Sequence, residues 1–179
     1  LKDNGVEFIY YEKETAKALK ETAVREEFVS NMIELSFIES EGMKQAIRSF
    51  LMRLEPEKMV EEIISGVRRD DLGEVKTGSL SDLAQNDYPF VMDPMPNLYF
   101  TRDPGACIGD GINIHHMHTP ARRRESLLLK YMFEHDPDFA IEGNKQFYDI
   151  YDDYSVEGGD VLVLSKDMVA IGYSERTTI

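Results

Sequence analysis

The 179-residue chain is 42% apolar and 30% charged, a globular composition that excludes a disordered, collagen-like or low-complexity protein. Its net charge of -14 repels nucleic-acid phosphates and anionic membrane surfaces and favours cationic ligands. The single Cys107 excludes an internal disulfide, and no apolar run approaches the about 20 residues of a spanning helix, so a cytoplasmic protein with neither nucleic-acid nor membrane partner is expected.

In chain order, Val6-Glu7-Phe8-Ile9-Tyr10-Tyr11 is β-branched and aromatic and follows the turn signal Asp3-Asn4-Gly5, which predicts a short buried strand. Apolar residues then recur every three to four positions: Val24, Phe28, Met32 and Leu35; Met43, Ile47, Phe50, Leu51 and Leu54; Met59, Val60, Ile63, Ile64 and Val67. That spacing predicts three amphipathic helices, the third opened by Pro56 and ended near Gly66. Asp70 to Pro96, punctuated by Gly73, Gly78, Pro89, Pro94 and Pro96, reads as a loop-rich link. Short strands are expected at Cys107-Ile108 and Ile112-Asn113-Ile114, then a helix over 119–134 with Thr119 as its cap and Pro120 in its first turn. Asp160 to Leu164 and Met168 to Gly172, joined by Ser165-Lys166-Asp167, read as a β-hairpin. An α/β fold carrying a helical unit follows.

Three segments concentrate groups that a scaffold does not need. Asn97-Leu98-Tyr99-Phe100-Thr101-Arg102-Asp103-Pro104 joins an aromatic wall to a carboxylate, although an Asp before a proline also serves as a turn former. Glu157-Gly158-Gly159-Asp160 places two acids on a sharp turn at the mouth of a hairpin, or makes a solvated glycine turn. Gly172-Tyr173-Ser174-Glu175-Arg176-Thr177 closes that hairpin with a basic group. Carboxylates pair with a guanidinium and an Arg pairs with a carboxylate, so a free amino acid such as arginine fits both ends. His115, His116 and His118 have no Cys or acidic neighbour at ligand spacing, which disfavours a metal site, and Cys107 reads as a small buried side chain. Of Arg122, Arg123 and Arg124, one or two face any single partner on a helix.

The motifs Asn97 to Asp103, Pro120-Ala121-Arg122-Arg123-Arg124-Glu125, Glu157 to Asp160 and Gly172 to Thr177 resemble, in order and spacing, the N-terminal and middle part of bacterial arginine deiminases. The resemblance covers essentially the whole chain and implies a partial pentein α/β propeller with a helical insertion domain. Residues 1–12 are then expected as a propeller strand, 13–80 as the helical insertion and 81–179 as propeller modules. It implies hydrolysis of L-arginine to citrulline and ammonia through a covalent Cys intermediate, without metal or organic cofactor, in a homo-oligomeric full-length form. Carried onto this sequence, Asp103 binds the guanidinium, Glu157 orients a catalytic His and Asp160 supports the polar network. Arg122 and Arg176 grip the α-carboxylate, with Asn97 hydrogen bonding nearby and Phe100 against the aliphatic stem. The family's nucleophilic Cys, catalytic His and second guanidinium-binding Asp belong to segments beyond Ile179, so an incomplete and, alone, inactive chain is expected. An amidinotransferase or other guanidine-modifying enzyme and a non-catalytic arginine-binding scaffold are the competing readings.

Overall fold

A computed structural model describes residues 2–73, 88–140 and 145–178. Helix α1 (Tyr11–Ala18) opens the ordered helical region, followed by α2 (Thr22–Glu34), α3 (Glu41–Leu51) and α4 (Pro56–Ser65). The periodic residues face inward as their spacing requires: Phe28 and Met32 of α2, Ile47 and Leu51 of α3, and Met59 and Ile63 of α4 are fully buried. Ser40 caps α3 by accepting the Met43 N–H at 3.4 Å, and Pro56 occupies the first turn of α4. Gly66 ends α4 with φ 88°, where an added Cβ would stand 2.8 Å from the Pro94 nitrogen; positive φ and close approach both call for glycine.

The strand expected over Val6 to Tyr11 does not form. Tyr11 starts α1, while Val6, Phe8, Ile9 and Tyr10 are about half exposed and take part in no strand pairing among the described residues. A strand is defined by its partner, and Glu12-Lys13-Glu14-Thr15-Ala16-Lys17-Ala18 has acids in the first turn and a Lys in the last, which suits a helix and its dipole. The link from Asp70 to Pro96 also needs correction near its end, where a strand pairs with residues that precede the link. β1 (Val67–Arg68) pairs antiparallel with β2 (Phe90–Met92), Val67 opposite Met92. Gly78 lies outside the described residues.

The two short strands expected here form as β3 (Gly105–Ile108) and β4 (Gly111–Ile114), and they pair as a tight hairpin, with Gly105 opposite Ile114 and Gly109 at φ 57° in its turn. A turn of 3-10 helix, Pro120–Arg122, leads into α5 (Arg123–His135). Thr119 stands at the start of that turn, but its side chain makes no capping bond; only its carbonyl accepts, from the Arg122 N–H at 2.9 Å. α5 returns the chain to β5 (Lys145–Tyr148), which pairs parallel to β4 in the order β3-β4-β5. β4-α5-β5 is thus a β-α-β crossover. β5, Lys145-Gln146-Phe147-Tyr148, is largely exposed, and its polar pair followed by an aromatic pair gives no hydrophobic alternation to announce it. β6 (Val161–Ser165) and β7 (Met168–Ile171) make the final hairpin, Val161 opposite Ile171.

One hydrophobic core joins the helical region to the α/β part: Phe28, Met32, Ile47, Met59 and Ile63 belong to the same buried cluster as Ile112, Ile114, Leu127 and Leu128. The Phe28 and Tyr131 rings meet edge to face at 5.0 Å across the α2–α5 contact, worth about 1 kcal/mol beyond the area buried. Among the described residues the architecture is mixed α/β with three small sheets, and none closes into a barrel or propeller. No helix there is long and apolar enough to cross a membrane.

Candidate active site

Arg122, at the last residue of the 3-10 turn before α5, is 8% exposed although it carries a permanent charge. A buried charge needs partners. Its Nε lies 3.1 and 3.2 Å from the two Glu125 carboxylate oxygens, and its Nη2 donates to Glu125 Oε2 at 2.8 Å. Nη1 donates to Asp103 Oδ2 at 3.0 Å and stands 3.9 Å from Glu157 Oε2. Burial opposes the Arg122 charge, but the hydrogen bonds to Glu125 and Asp103 outweigh it and hold its pKa above the ordinary arginine value. Helical geometry explains the Glu125 contact, since residues three apart share a face.

Asp103 comes from the turn after Phe100, and Glu157 from the turn before β6. They meet because Gly158 packs on the backbone of Arg102: an added Cβ there would lie 1.9 Å from the Arg102 carbonyl oxygen. The Gly158 N–H donates to the Asp103 carbonyl at 3.2 Å, and Arg102 Nη2 donates to the Val161 carbonyl at 2.7 Å. Glu157 is 4% exposed; its Oε2 accepts from Arg176 Nη1 at 3.2 Å, and its Oε1 is buried without a hydrogen-bond partner in the structure. Arg176 reaches it from a side chain that is 64% exposed.

Two guanidinium groups, Arg122 and Arg176, therefore face three carboxylates, Asp103, Glu125 and Glu157. One negative charge is left over, which favours a cation. Asp160 stands beside this cluster and not in it: its Oδ2 accepts from the Ser174 hydroxyl at 2.7 Å, and its carbonyl accepts the Gly172 N–H at 2.8 Å. The Ser174 hydrogen bond, joined by one from Thr177, holds the Asp160 carboxyl below the usual carboxylate range. Asn97 and Phe100 are exposed and reach Asp103 only through backbone turns, Phe100 N–H to the Asn97 carbonyl at 2.9 Å and Asp103 N–H to the Phe100 carbonyl at 3.0 Å.

Of the residues singled out from the sequence, Asp103, Arg122, Glu157 and Arg176 come together, Asp160 borders them, and Asn97 and Phe100 stand at the rim of the same loop. The basic run divides: Arg124 donates to the Asp93 carbonyl at 2.8 Å and Arg123 to that of Met117 at 3.3 Å, leaving Arg122 for the acids. Glu125 was missed, although the i,i+3 spacing of an Arg and a Glu at a helix start signals such a pair. Tyr11 was missed too; its hydroxyl donates to the Glu125 carbonyl at 3.2 Å and ties α1 to the start of α5.

Cys107 departs from the expectation of a buried thiol. It is exposed on β3, beside an apolar cleft of about 490 Å³ that also touches Tyr11, Leu129 and Phe139 and that none of the clustered charges lines. β3 is an edge strand, so side chains on its outer face lack a covering layer. Partial burial pushes the thiol pKa up, away from the reactive thiolate. Among the described residues the histidines belong to no group of three metal-ligating side chains. The one such group, Glu14, Asp136 and Asp138, has Lys17 Nζ at 2.5 Å from Glu14 and 2.9 Å from Asp138 as its cation.

The family model described as arginine deiminase matches residues 1–179. The arginine deiminase of Limosilactobacillus reuteri is 44% identical over 99% of this chain and 43% of its own length. That of Limosilactobacillus fermentum is 46% identical over 99% of the chain and 44% of its own, and arginine deiminase 1 of Staphylococcus epidermidis is 41% identical over 99% and 43%. The chain thus spans less than half the length of these relatives. A family match over the whole chain, with relatives above 40% identical along it, leads to one conclusion: the chain belongs to the arginine deiminase family.

Proposed function

We propose that this chain is the part of an arginine-hydrolysing enzyme that binds the substrate's two charged ends, in a protein of its relatives' length. The observation that carries this reading is the cluster in which Asp103, Glu125 and Glu157 outnumber Arg122 and Arg176. Asp103 receives the guanidinium through charge-assisted hydrogen bonds, and the free Oε1 of Glu157 is left to orient an imidazole beside it. The exposed Arg176 is the better placed cation for the α-carboxylate. Arg122 is engaged through Nε, Nη1 and Nη2, so only its remaining Nη hydrogens are open to a ligand. Phe100 and Asn97 form the rim along the aliphatic stem, and Asp160 steadies the hairpin that carries Arg176.

In this reading a Cys thiolate outside the chain adds to the guanidinium carbon, the C–N bond to the terminal nitrogen breaks and ammonia leaves. Water then displaces the thiolate and citrulline is released. Glu157 orients the imidazole that carries the protons. Cys107 is excluded from the nucleophile's role by its place beside the apolar cleft, away from the acids. The β3-β4-α5-β5 unit and the β6–β7 hairpin are, on this proposal, successive pieces of an α/β propeller, with residues 13–80 as its helical insertion. The protein works in the cytoplasm as a homo-oligomer.

A citrulline assay tests the function. The 179-residue chain alone is expected to release no citrulline from L-arginine, whereas a protein of the relatives' length carrying this chain turns it over. In that protein Asp103→Asn, which keeps shape and removes charge, is expected to lower kcat/KM by at least about 100-fold, the scale of a buried charge pair losing one partner. Turnover by the chain alone, or Asp103→Asn within threefold of the parent, would overturn the assignment.

A further inference from the structure

The arginine-hydrolysis reading uses none of the three histidines that follow β4. His118 is exposed and His116 half-buried, but His115 is sealed from solvent at 0% exposure. Its backbone N–H donates to the Pro104 carbonyl at 2.8 Å, and its ring Nδ1 lies 2.7 Å from the Asp103 carbonyl oxygen. A carbonyl only accepts, so this contact requires the proton on Nδ1. Nε2 is buried without a hydrogen-bond partner, and an Nε2–H there would be an orphaned donor as well. The same Asp103 oxygen accepts the Gly158 N–H. One oxygen atom thus joins the Asp103 turn, the residue after β4 and the Glu157–Gly158 turn.

We propose that His115 is a positioning residue: as its neutral Nδ1–H tautomer it clamps the Asp103 carbonyl and thereby sets the Asp103 and Glu157 carboxylates against one cation. Its place in catalysis rests on the reading of those two acids given above; the clamp itself does not. The geometry supplies the reason for a histidine here. An apolar side chain of similar volume would fill the site but leave the Asp103 carbonyl held by Gly158 alone, so the turn could shift along that single bond. Burial favours the neutral ring by pushing its pKa down, against the upward pull of the Asp103 and Glu157 charges.

Three measurements decide it. In the 179-residue chain near neutral pH, ring nitrogen NMR is expected to show His115 protonated on Nδ1 and bare on Nε2; the opposite tautomer or a doubly protonated ring would overturn the clamp. In His115→Leu, amide exchange at Gly158 is expected to speed up at least tenfold while Leu127 and Leu128 in α5 stay within threefold. His115→Asn, whose side-chain amide places a donor close to that of Nδ1, is expected to restore Gly158 to within threefold. Equal Gly158 protection in the Leu and Asn variants overturns the clamp, and if neither variant folds the tautomer still decides. In a protein of the relatives' length, His115→Leu is expected to lower kcat/KM at least tenfold, with rescue by His115→Asn. An unrescued loss, or none, overturns the positioning role. Absence of arginine turnover in the parent instead overturns the proposed function and leaves the tautomer and exchange results to judge the clamp.

Discussion

Glu125 carries as much of the site's energetics as the residues that would touch a substrate. Its side chain is 3% exposed and binds Arg122 through both oxygens, so neither charge has water to fall back on. Glu125→Gln keeps the shape and removes the charge, and is expected to destabilise the chain by about 3 kcal/mol in urea unfolding, whereas Glu41→Gln, in the exposed pair with Lys44, should cost under about 0.5 kcal/mol. A cost at Glu125 no larger than at Glu41 would show that Asp103 and Glu157 neutralise Arg122 without help. The histidines set a pH dependence. Burial lowers the pKa of His115, which faces Asp103 and Glu157, and of His116, which faces Arg123, Asp152 and Asp153, below the ordinary 6.5. Above that value both are neutral folded or unfolded and contribute no slope. As pH falls below it the unfolded chain takes up protons that the fold resists, so stability falls, by at most about 1.4 kcal/mol per pH unit for each group. Urea midpoints between about pH 7.5 and 5.5 should show this decline, and His115→Asn should flatten it.

At the scale of elements, α2 closes on a strained residue. Phe37 has φ 55°, its N–H bonding back to the Glu34 carbonyl at 3.2 Å, in the left-handed conformation that helix ends commonly assign to Gly or Asn. Its ring is 62% exposed and contributes little packing in return. Phe37→Asn is therefore expected to raise stability by up to about 1 kcal/mol, read as a higher thermal midpoint, because Asn tolerates φ > 0 without the unfolded-state entropy of Gly. A lowered midpoint would mean that the ring supports the neighbouring cleft it shares with Tyr88 and Phe90. Helices α2 to α5 were legible because each has a face to bury, whereas α1 was not read from the sequence. Val6 to Tyr11 misled for the converse reason: β propensity describes a side chain that suits a sheet and cannot supply the neighbouring strand. β5 hid because Lys145 and Gln146 followed by Phe147 and Tyr148, on a short strand at a sheet edge, carry no period of 2 to read.

Across the whole molecule the final hairpin stands apart from the common core. Leu162, Leu164, Met168 and Ile171 are each more than half exposed and Val163 is 41% exposed, so apolar side chains project from both faces of a two-stranded sheet. Isolated ribbons of this kind are marginal in water, and exposed apolar strands seek partners. The 179-residue chain is expected to self-associate as its concentration rises in sedimentation velocity, and the double variant Leu164→Lys with Ile171→Lys should shift it toward monomer. Unchanged sedimentation in that variant would place the contact elsewhere, the apolar cleft beside Cys107 being the next candidate.

Local chemistry determined much of this protein without reference to the fold. Helical periodicity, the proline and glycine that bound α4, the short strands β3 and β4 and the β6–β7 hairpin are readable because spacing along a chain sets which residues share a face or a turn, while the roles expected of Asp103, Arg122, Glu157 and Arg176 came from the resemblance of their motifs to a family. Tertiary structure alone decided what those residues meet. That Arg122 also reaches Asp103 while Arg124 turns away to Asp93, that Cys107 faces out, and that His115 shares one carbonyl oxygen with Gly158 depend on contacts between separate segments of the chain. No periodicity encodes such contacts, because a buried charge or polar atom takes whichever partner the packed core brings within hydrogen-bond distance.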